Sequence, residues 1–498
     1  ISSVSNHLSD DRNTDYEWEK GSYQPTPTII EAATALYNDH TVENITRSDA
    51  GATNLTNTSQ RVQSIIDQSK NHKYKSIIFV TGVPGAGKTL VGLNIATNNM
   101  EATTLTHSVY LSGNGPLVDI LVEALARDYV AQKKALGEKV TKKDARRRIR
   151  GFVQNVHHYR DEYIKDPTAP SDHVAIFDEA QRAWNKEMTA SFMKRRKDIS
   201  DFDMSEPQFL VSCLNRHEDW AVVICLVGGG QEINRGEAGI SEWIKTIIDF
   251  YPDWRVHISD RLIDKEYAAG KSLQLLTNHK YVSKYSDLHL SVSLRSFRSE
   301  KLAHWVKSLL DLEIDEAKDA YQDLHDKYPI FVTRELSSAK EWLRGKARGS
   351  ERYGIVVSSY AERLKPLAIH VKSTINPVHW FLNNKDDVRS SYFLEDVATE
   401  FHVQGLELDW ACVTWDADMR IGPNGWKHYN FKGHKWQNIR KEVLQEYQKN
   451  AYRVLLTRAR QGMVIVVPKG DSNDQTRLPE FYDPIYEMLI ESGVKSID

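Results

Sequence analysis

Three cysteines in 498 residues, Cys213, Cys225 and Cys412, exclude a fold built on disulfides. They have no metal-ligand spacing, and two of them sit inside apolar runs. They read as buried, reduced thiols of a cytoplasmic protein. Long hydrophobic runs are missing too. Ala221 to Val227 is among the longest, far too short to span a bilayer, so no membrane partner is expected. The opening residues, ISSVSNHLSDDRN, have no signal-peptide pattern. They also lack an initiator Met, so the natural protein is expected to begin upstream, with room for a missing N-terminal domain. Neither sign of charge dominates. A formal net charge of −3 neither marks a nucleic-acid binder nor excludes one, because a local groove is averaged away over the whole chain.

What is present is the composition of a soluble globular protein, 40% hydrophobic and 27% charged, on a chain too long for one ordinary core. Short β-branched apolar runs alternate with helical stretches. The runs predict strands at Ser76–Thr81, Ser108–Ser112, Val174–Asp178, Ala221–Val227, Gly354–Ser358, Asp409–Thr414 and Met463–Val467. Uninterrupted apolar strands are buried on both faces, as in parallel sheets, and the alternation implies an α/β layered fold. Residues 1–70 read as an N-terminal lead-in with a helix at Ile29–Tyr37 and a polar Asn/Thr stretch at 53–58. Residues 71–280 read as a first lobe, carrying a basic helical insertion at 126–170. Residues 281–498 read as a second lobe, helical and charged over 311–350.

The strongest local signal is Gly82-Val83-Pro84-Gly85-Ala86-Gly87-Lys88-Thr89, set between the strand SIIFVT and the apolar helix LVGLNIATNN. This is the P-loop pattern in its strand–loop–helix context. Glycines let backbone N–H groups turn inward around phosphate oxygens, and a helix N-terminus adds partial positive charge. Lys88 would reach the β and γ oxygens of ATP, and the Thr89 hydroxyl would ligate Mg²⁺. About ninety residues on, the strand HVAIF ends in Asp178-Glu179. Carboxylates there lie at the carboxyl edge of the sheet, where α/β ligands bind. Asp178 would hold Mg²⁺ and Glu179 would polarise the attacking water.

The remaining motifs resemble those of superfamily 1 helicases. Asp178 to Gln181, DEAQ, looks like motif II. Gln231, just past the strand AVVICLV, looks like the motif III residue that senses γ-phosphate. Leu290 to Ser296 resembles motif IV, with Arg295 toward the γ-phosphate. Thr399-Glu-Phe-His402-Val-Gln-Gly405-Leu-Glu407 resembles motif V. That implies Gly405 and Glu407 near the nucleotide sugar, and Thr399 and His402 near the nucleic-acid backbone. Leu455 to Arg460 resembles motif VI, with Arg458 as the arginine finger. Asn57 to Gln60 faintly resembles a Q-motif, which puts Gln60 at adenine. More closely, TGVPGAGKTLVGLN, FDEAQRAWN, TEFHVQGLELDW, VTWDADMR and LLTRARQGM are similar to prokaryotic members of the Schlafen group III-like DNA/RNA helicase domain family. The resemblance runs from about residue 15 to the end. It implies two RecA-like P-loop lobes with parallel sheets, ATP and Mg²⁺ as cofactors, and DNA or RNA, single-stranded or duplex, as partner. It also implies a role in defence beside a nuclease or other effector, although no nuclease motif stands in this chain. Two positions depart from the superfamily pattern: Leu294 where many members have Tyr, and Gly229 where motif III usually has Asp.

Other groups admit two readings each. Ser112 and Asn114, where motif Ia would fall, either grip phosphates or form a simple loop. The basic run at 131–150 is a strand-binding arm or, with Glu138 and Asp144 interleaved, the solvated face of a helix. Trp184, Trp410 and Trp415 pack in the core or stack on bases. The whole reads as an ATP-driven helicase or translocase, or else as a motor or switch subunit gating an effector without unwinding. A nucleoside kinase on the same P-loop is a distant third.

Overall fold

The computed structural model describes residues 27–38, 40, 49–83, 85–98, 107–228, 239–263, 276, 279–291 and 297–498. Pro84, Gln231 and Arg295 lie outside the described residues.

Eight strands build the first lobe: β1 (Lys75–Gly82), β2 (Ser108–Ser112), β3 (Val153–Asn155), β4 (Val174–Asp178), β5 (Ala221–Val227), β6 (Arg255–Ser259), β7 (Val282–Tyr285) and β8 (His289–Leu290). Their order is β3-β2-β4-β5-β1-β6-β7, with β8 beside the end of β1, and every pairing is parallel. Alternate residues of β1 feed opposite faces. Ile78 and Val80 pack with Val91 and Ile95 of the helix Lys88–Asn98, while Ile77 and Phe79 pack with Phe209, Leu210 and Trp243. Both faces are apolar, which is why the strands appear in the sequence as unbroken runs.

The second lobe holds β9 (Ile330–Thr333), β10 (Tyr353–Val357), β11 (Val397–Thr399), β12 (Leu408–Thr414), β13 (Met419–Gly422), β14 (Gly425–Lys432), β15 (Lys435–Asn438), β16 (Ala459–Val466) and β17 (Lys495–Ser496). Six of them form a parallel sheet in the order β11-β10-β12-β16-β9-β17. The other three, β13-β14-β15, form a small antiparallel sheet inserted between β12 and β16. The molecule is thus α/β with parallel sheets, as the apolar runs predict, and its two lobes are the RecA-like pair that the family resemblance implies. Among the described residues no helix is long and apolar enough to cross a membrane.

Several expectations need correcting. The Asn/Thr stretch at 53–58 lies inside a 24-residue helix, Asp49–His72. Its polar residues hide the buried positions Leu55, Val62, Ile65 and Ile66, which recur at helical spacing. That helix also crosses the line drawn at residue 70 between lead-in and first lobe. The first sheet runs on through β7 and β8, past the boundary drawn at 280, because β8 closes against the carboxyl end of β1. The stretch 311–350 contains β9, a strand too short to stand out between two helices. The insertion at 126–170 is not all helical, since β3 forms the sheet edge within it.

The lobes touch through the helix Gly115–Ala135 of the first and Pro377–Leu382 of the second. Arg127 donates to Leu382 O at 3.3 Å and to Asn383 Oδ1 at 2.9 Å.

Candidate functional site

The carboxyl ends of β1, β2, β4 and β5 meet at one edge, with Ser112 opposite Asp178 and Thr81 opposite Val227 in the register. At that edge β1 gives way to the phosphate-loop segment. Gly85 and Gly87 hold φ of 75° and 87°, where a side chain is strained, so glycine is required for the turn. Gly82 meets a different demand. A Cβ there would lie 2.7 Å from Leu290 Cβ, and the next amide, Val83 N, donates to Leu290 O at 3.1 Å. Lys88 turns into the loop and donates to Gly82 O at 2.7 Å and Val83 O at 3.2 Å.

Thr89, one residue into the helix, places its hydroxyl 3.3 Å from each oxygen of Asp178. The Tyr110 hydroxyl, fully buried on β2, donates to Asp178 Oδ2 at 2.5 Å. Burial, and then the neighbouring Glu179, push the Asp178 carboxyl up to about 7, against the pull of Tyr110, Thr89 and Lys88. Burial and the same carboxylate hold the Tyr110 phenol well above its ordinary range. A hydroxyl and a carboxylate side by side are hard oxygen donors of the kind Mg²⁺ takes, so the residues fit that ion.

Glu179 is the left-handed residue that turns β4 into a short 3-10 helix, with φ 53° and ψ 49°. A non-glycine residue there is strained by roughly 1–3 kcal/mol, and such strain clusters at functional sites. Its carboxylate accepts from Gln181 Nε2 at 2.5 Å, and Gln181 Oε1 accepts from Gly228 N at 2.9 Å. A Cβ on Gly228 would sit 2.8 Å from Glu179 Oε2. The chain Glu179–Gln181–Gly228 therefore ties the acidic turn to the end of β5, and glycine leaves the space for it.

The second-lobe positions are held by their own elements. Thr399 ends β11 and closes a capping box with His402, whose Nδ1 accepts from Thr399 N at 3.1 Å. Burial lowers the His402 pKa. Gly405 is exposed with φ 77°. Burial, and then the half-buried Glu407, raise the pKa of Tyr328, whose hydroxyl donates to Ala459 O at 3.0 Å. Arg458 is buried, and its guanidinium donates to Val454 O at 3.1 Å and Thr457 Oγ1 at 3.3 Å. Arg460 pairs with Asp409 at 2.6 Å.

A family model described as Schlafen group 3, DNA/RNA helicase domain, matches residues 75–469, from the first residue of β1 to just beyond β16. The chain belongs to the Schlafen group 3 DNA/RNA helicase domain family. Similar solved structures include the Hef helicase domain of Pyrococcus furiosus, at 12% identity over 83% of this chain and 96% of that one, with a TM-score of 0.26. Another is the DUF1998 helicase MrfA bound to DNA and AMPPNP, at 12% identity over 95% of this chain and 54% of that one, with a TM-score of 0.30. No curated protein matches.

Within this helicase-domain chain the remaining sequence candidates fall as follows. Gln60 is exposed on the helix Asp49–His72, while its neighbours Asn54 and Thr58 bond His289 O at 3.4 Å and Asp287 O at 2.7 Å. Ser112 is buried at the end of β2. Asn114 caps the helix Gly115–Ala135 and donates from Nδ2 to Gln404 O at 2.7 Å, joining the lobes. Trp415 is buried and stacked on Tyr452 at 4.3 Å, and Trp410 is buried with its indole on Glu351, so both pack in the core. Trp184 lies half-buried against His157 at 4.5 Å. Sequence reasoning missed Tyr110, Gln181 and Gly228 as site residues. Gly92 gives no specific signal for the first, since a Cβ there would lie 2.7 Å from Leu226 Cδ1 and 3.1 Å from Ile176 Cγ2 as well as 3.2 Å from Tyr110 Cε2.

Proposed function

We propose that this chain is an ATP-dependent nucleic-acid helicase or translocase that hydrolyses ATP with Mg²⁺ between its two lobes. The observation that carries the reading is the pair of linked groups at one sheet edge: Thr89 with Asp178, and Glu179 with Gln181 and Gly228. Family membership supports the nucleic-acid half of it.

On this reading Lys88 leaves the loop carbonyls for the β and γ oxygens when nucleotide enters, and the loop amides cradle the phosphates. Thr89 and Asp178 would hold Mg²⁺, which when bound neutralises charge on the β and γ oxygens. Glu179 orients and polarises the attacking water, with Gln181 fixing its carboxylate. Arg458 and Arg295 would supply positive charge to the γ-phosphate, and Gln231 would sense it. Gly405 and Glu407 lie toward the sugar. Ser112, Thr399 and His402 would lie near the strand. Asn114, with both ends of its amide committed, acts as a tie between lobes rather than as a phosphate grip. Hydrolysis changes the attraction between the lobes and so drives their motion.

The test is phosphate release from ATP and Mg²⁺, alone and with single-stranded DNA, duplex DNA or RNA, with Glu179→Gln alongside. The expected result is polymer-stimulated release in the parent and a fall of about 10²- to 10⁴-fold in the variant. Release that ignores every polymer, with no strand binding, would replace this reading with that of a switch subunit gating an effector.

A further inference from the structure

Residues 419–441 contain no Asp or Glu, yet carry Arg420, Lys427, Lys432, Lys435, Arg440 and Lys441. They form the small antiparallel sheet β13-β14-β15 and the segment that leads from it into the helix Glu442–Leu456. Two cross-strand pairs set like charges opposite each other, Arg420 with Lys427 and Lys432 with Lys435. Such pairs destabilise a sheet by themselves. Arg420 is accommodated inside: its guanidinium lies 3.5 Å from the ring centre of Phe481 and 4.3 Å from that of Tyr429, and it donates to Ala417 O. The other five cations are exposed, and none forms an ion pair among the described residues.

The aromatic residues root the sheet in the lobe. Trp426 donates to Leu310 O at 2.7 Å, and Trp436 donates to Thr476 O at 2.8 Å and meets Phe431 edge-on. The turn between β14 and β15 is Gly433-His434, polar and exposed, so the sheet offers no apolar tip to a membrane. The basic run of the first lobe differs only in part, since Lys139, Lys142 and Lys143 are exposed there and form no ion pair among the described residues. There Arg146 pairs with Glu123, Arg147 with Asp144, and Lys133 with Glu138, as a solvated face would.

We infer that the hairpin end of β14 and β15 is a docking surface for the phosphate backbone of nucleic acid, with Lys432 and Lys435, which share one face, as its contacts. The inference rests on the proposed helicase function. A polyanion relieves the repulsion between Lys432 and Lys435, and lysines on strands meet phosphates as point charges without reading sequence. The sheet grows from the end of β12 and returns into the helix that precedes Arg458, so strand bound there pulls on elements that frame the lobe-two candidates.

The experiment measures binding of fluorescent oligo-dT and oligo-U to the full chain across a salt series. The variant is Lys432→Gln/Lys435→Gln, and the control removes equal charge from the first lobe with Lys142→Gln/Lys143→Gln. Each lost single-strand phosphate contact reduces the log–log salt slope by about 0.7, so the hairpin variant loses about 1.4 and the control loses less. Phosphate release without nucleic acid and the thermal melt stay at parental values. A parental slope in the hairpin variant, or an equal loss in the control, overturns the docking surface. So does binding to vesicles of equal parts phosphatidylserine and phosphatidylcholine that the hairpin variant abolishes while its strand binding is kept. A parent that binds no strand overturns the proposed function itself, and this surface with it.

Discussion

In the first lobe Thr89, Asp178, Glu179 and Gln181 are linked across separate elements, whereas Arg458 and His402 of the second bond within their own. In lobe one, Thr89 and Tyr110 converge on Asp178, and Gln181 couples Glu179 to Gly228. In lobe two, Arg458 bonds the last turn of its own helix, and His402 closes a cap on Thr399. On the proposed function one half is assembled before nucleotide arrives, and the other, anchored by local bonds, would reach the γ-phosphate by moving with its lobe. On the proposed function, nucleotide binding therefore belongs to lobe one, and turnover to both.

Lys88→Ala strikes the assembled half hardest. Binding of a fluorescent ATP analogue and phosphate release should both fall to background. Normal analogue binding would show that the loop is not where affinity resides. Arg458→Ala should separate the two properties. Turnover falls by at least about 10³-fold if Arg458 is a finger, while analogue affinity stays near that of the parent. Arg458 is buried, so the thermal melt is followed beside it; a lowered melt with unchanged turnover would make the residue structural. Gln181→Ala tests the coupling inside lobe one. A hydrogen bond to a charged group contributes about 1.5–3 kcal/mol, so turnover should fall roughly ten- to hundredfold with binding kept. If binding falls in step with turnover, the amide supports the fold rather than Glu179.

The same contrast governs what the sequence revealed. The buried parallel strands were legible because burial on both faces writes an uninterrupted apolar run: Ser108–Ser112, Val174–Asp178 and Ala221–Val227 match residue for residue. The phosphate loop was legible because its conformation demands glycine at Gly85 and Gly87. Short or edge strands were not. β3, β8 and β17 have two or three residues each, too few to show a period. The small antiparallel sheet was missed because its aromatic and basic residues follow no apolar run. Tyr110 was hidden by its setting, since a tyrosine in a buried strand looks like any other core residue until the partner of its hydroxyl is known. Asn114 was seen as a polar loop residue, but its two ends were not: one caps a helix and the other crosses between lobes.

The smallest effect is the most specific. Tyr110→Phe keeps the ring that fills the space beside Gly92 and removes only the hydrogen bond to Asp178. The carboxylate then keeps Thr89 as its hydroxyl partner and is less firmly oriented in a fully buried position. If Asp178 holds Mg²⁺, the Mg²⁺ concentration for half-maximal binding of the nucleotide analogue should rise about three- to tenfold, the order of one hydrogen bond. Analogue affinity at saturating Mg²⁺ and the thermal melt should change little. An unaltered Mg²⁺ dependence would mean that the phenol only fills space. It would also mean that the assembled character of lobe one rests on Thr89 and Gln181 alone.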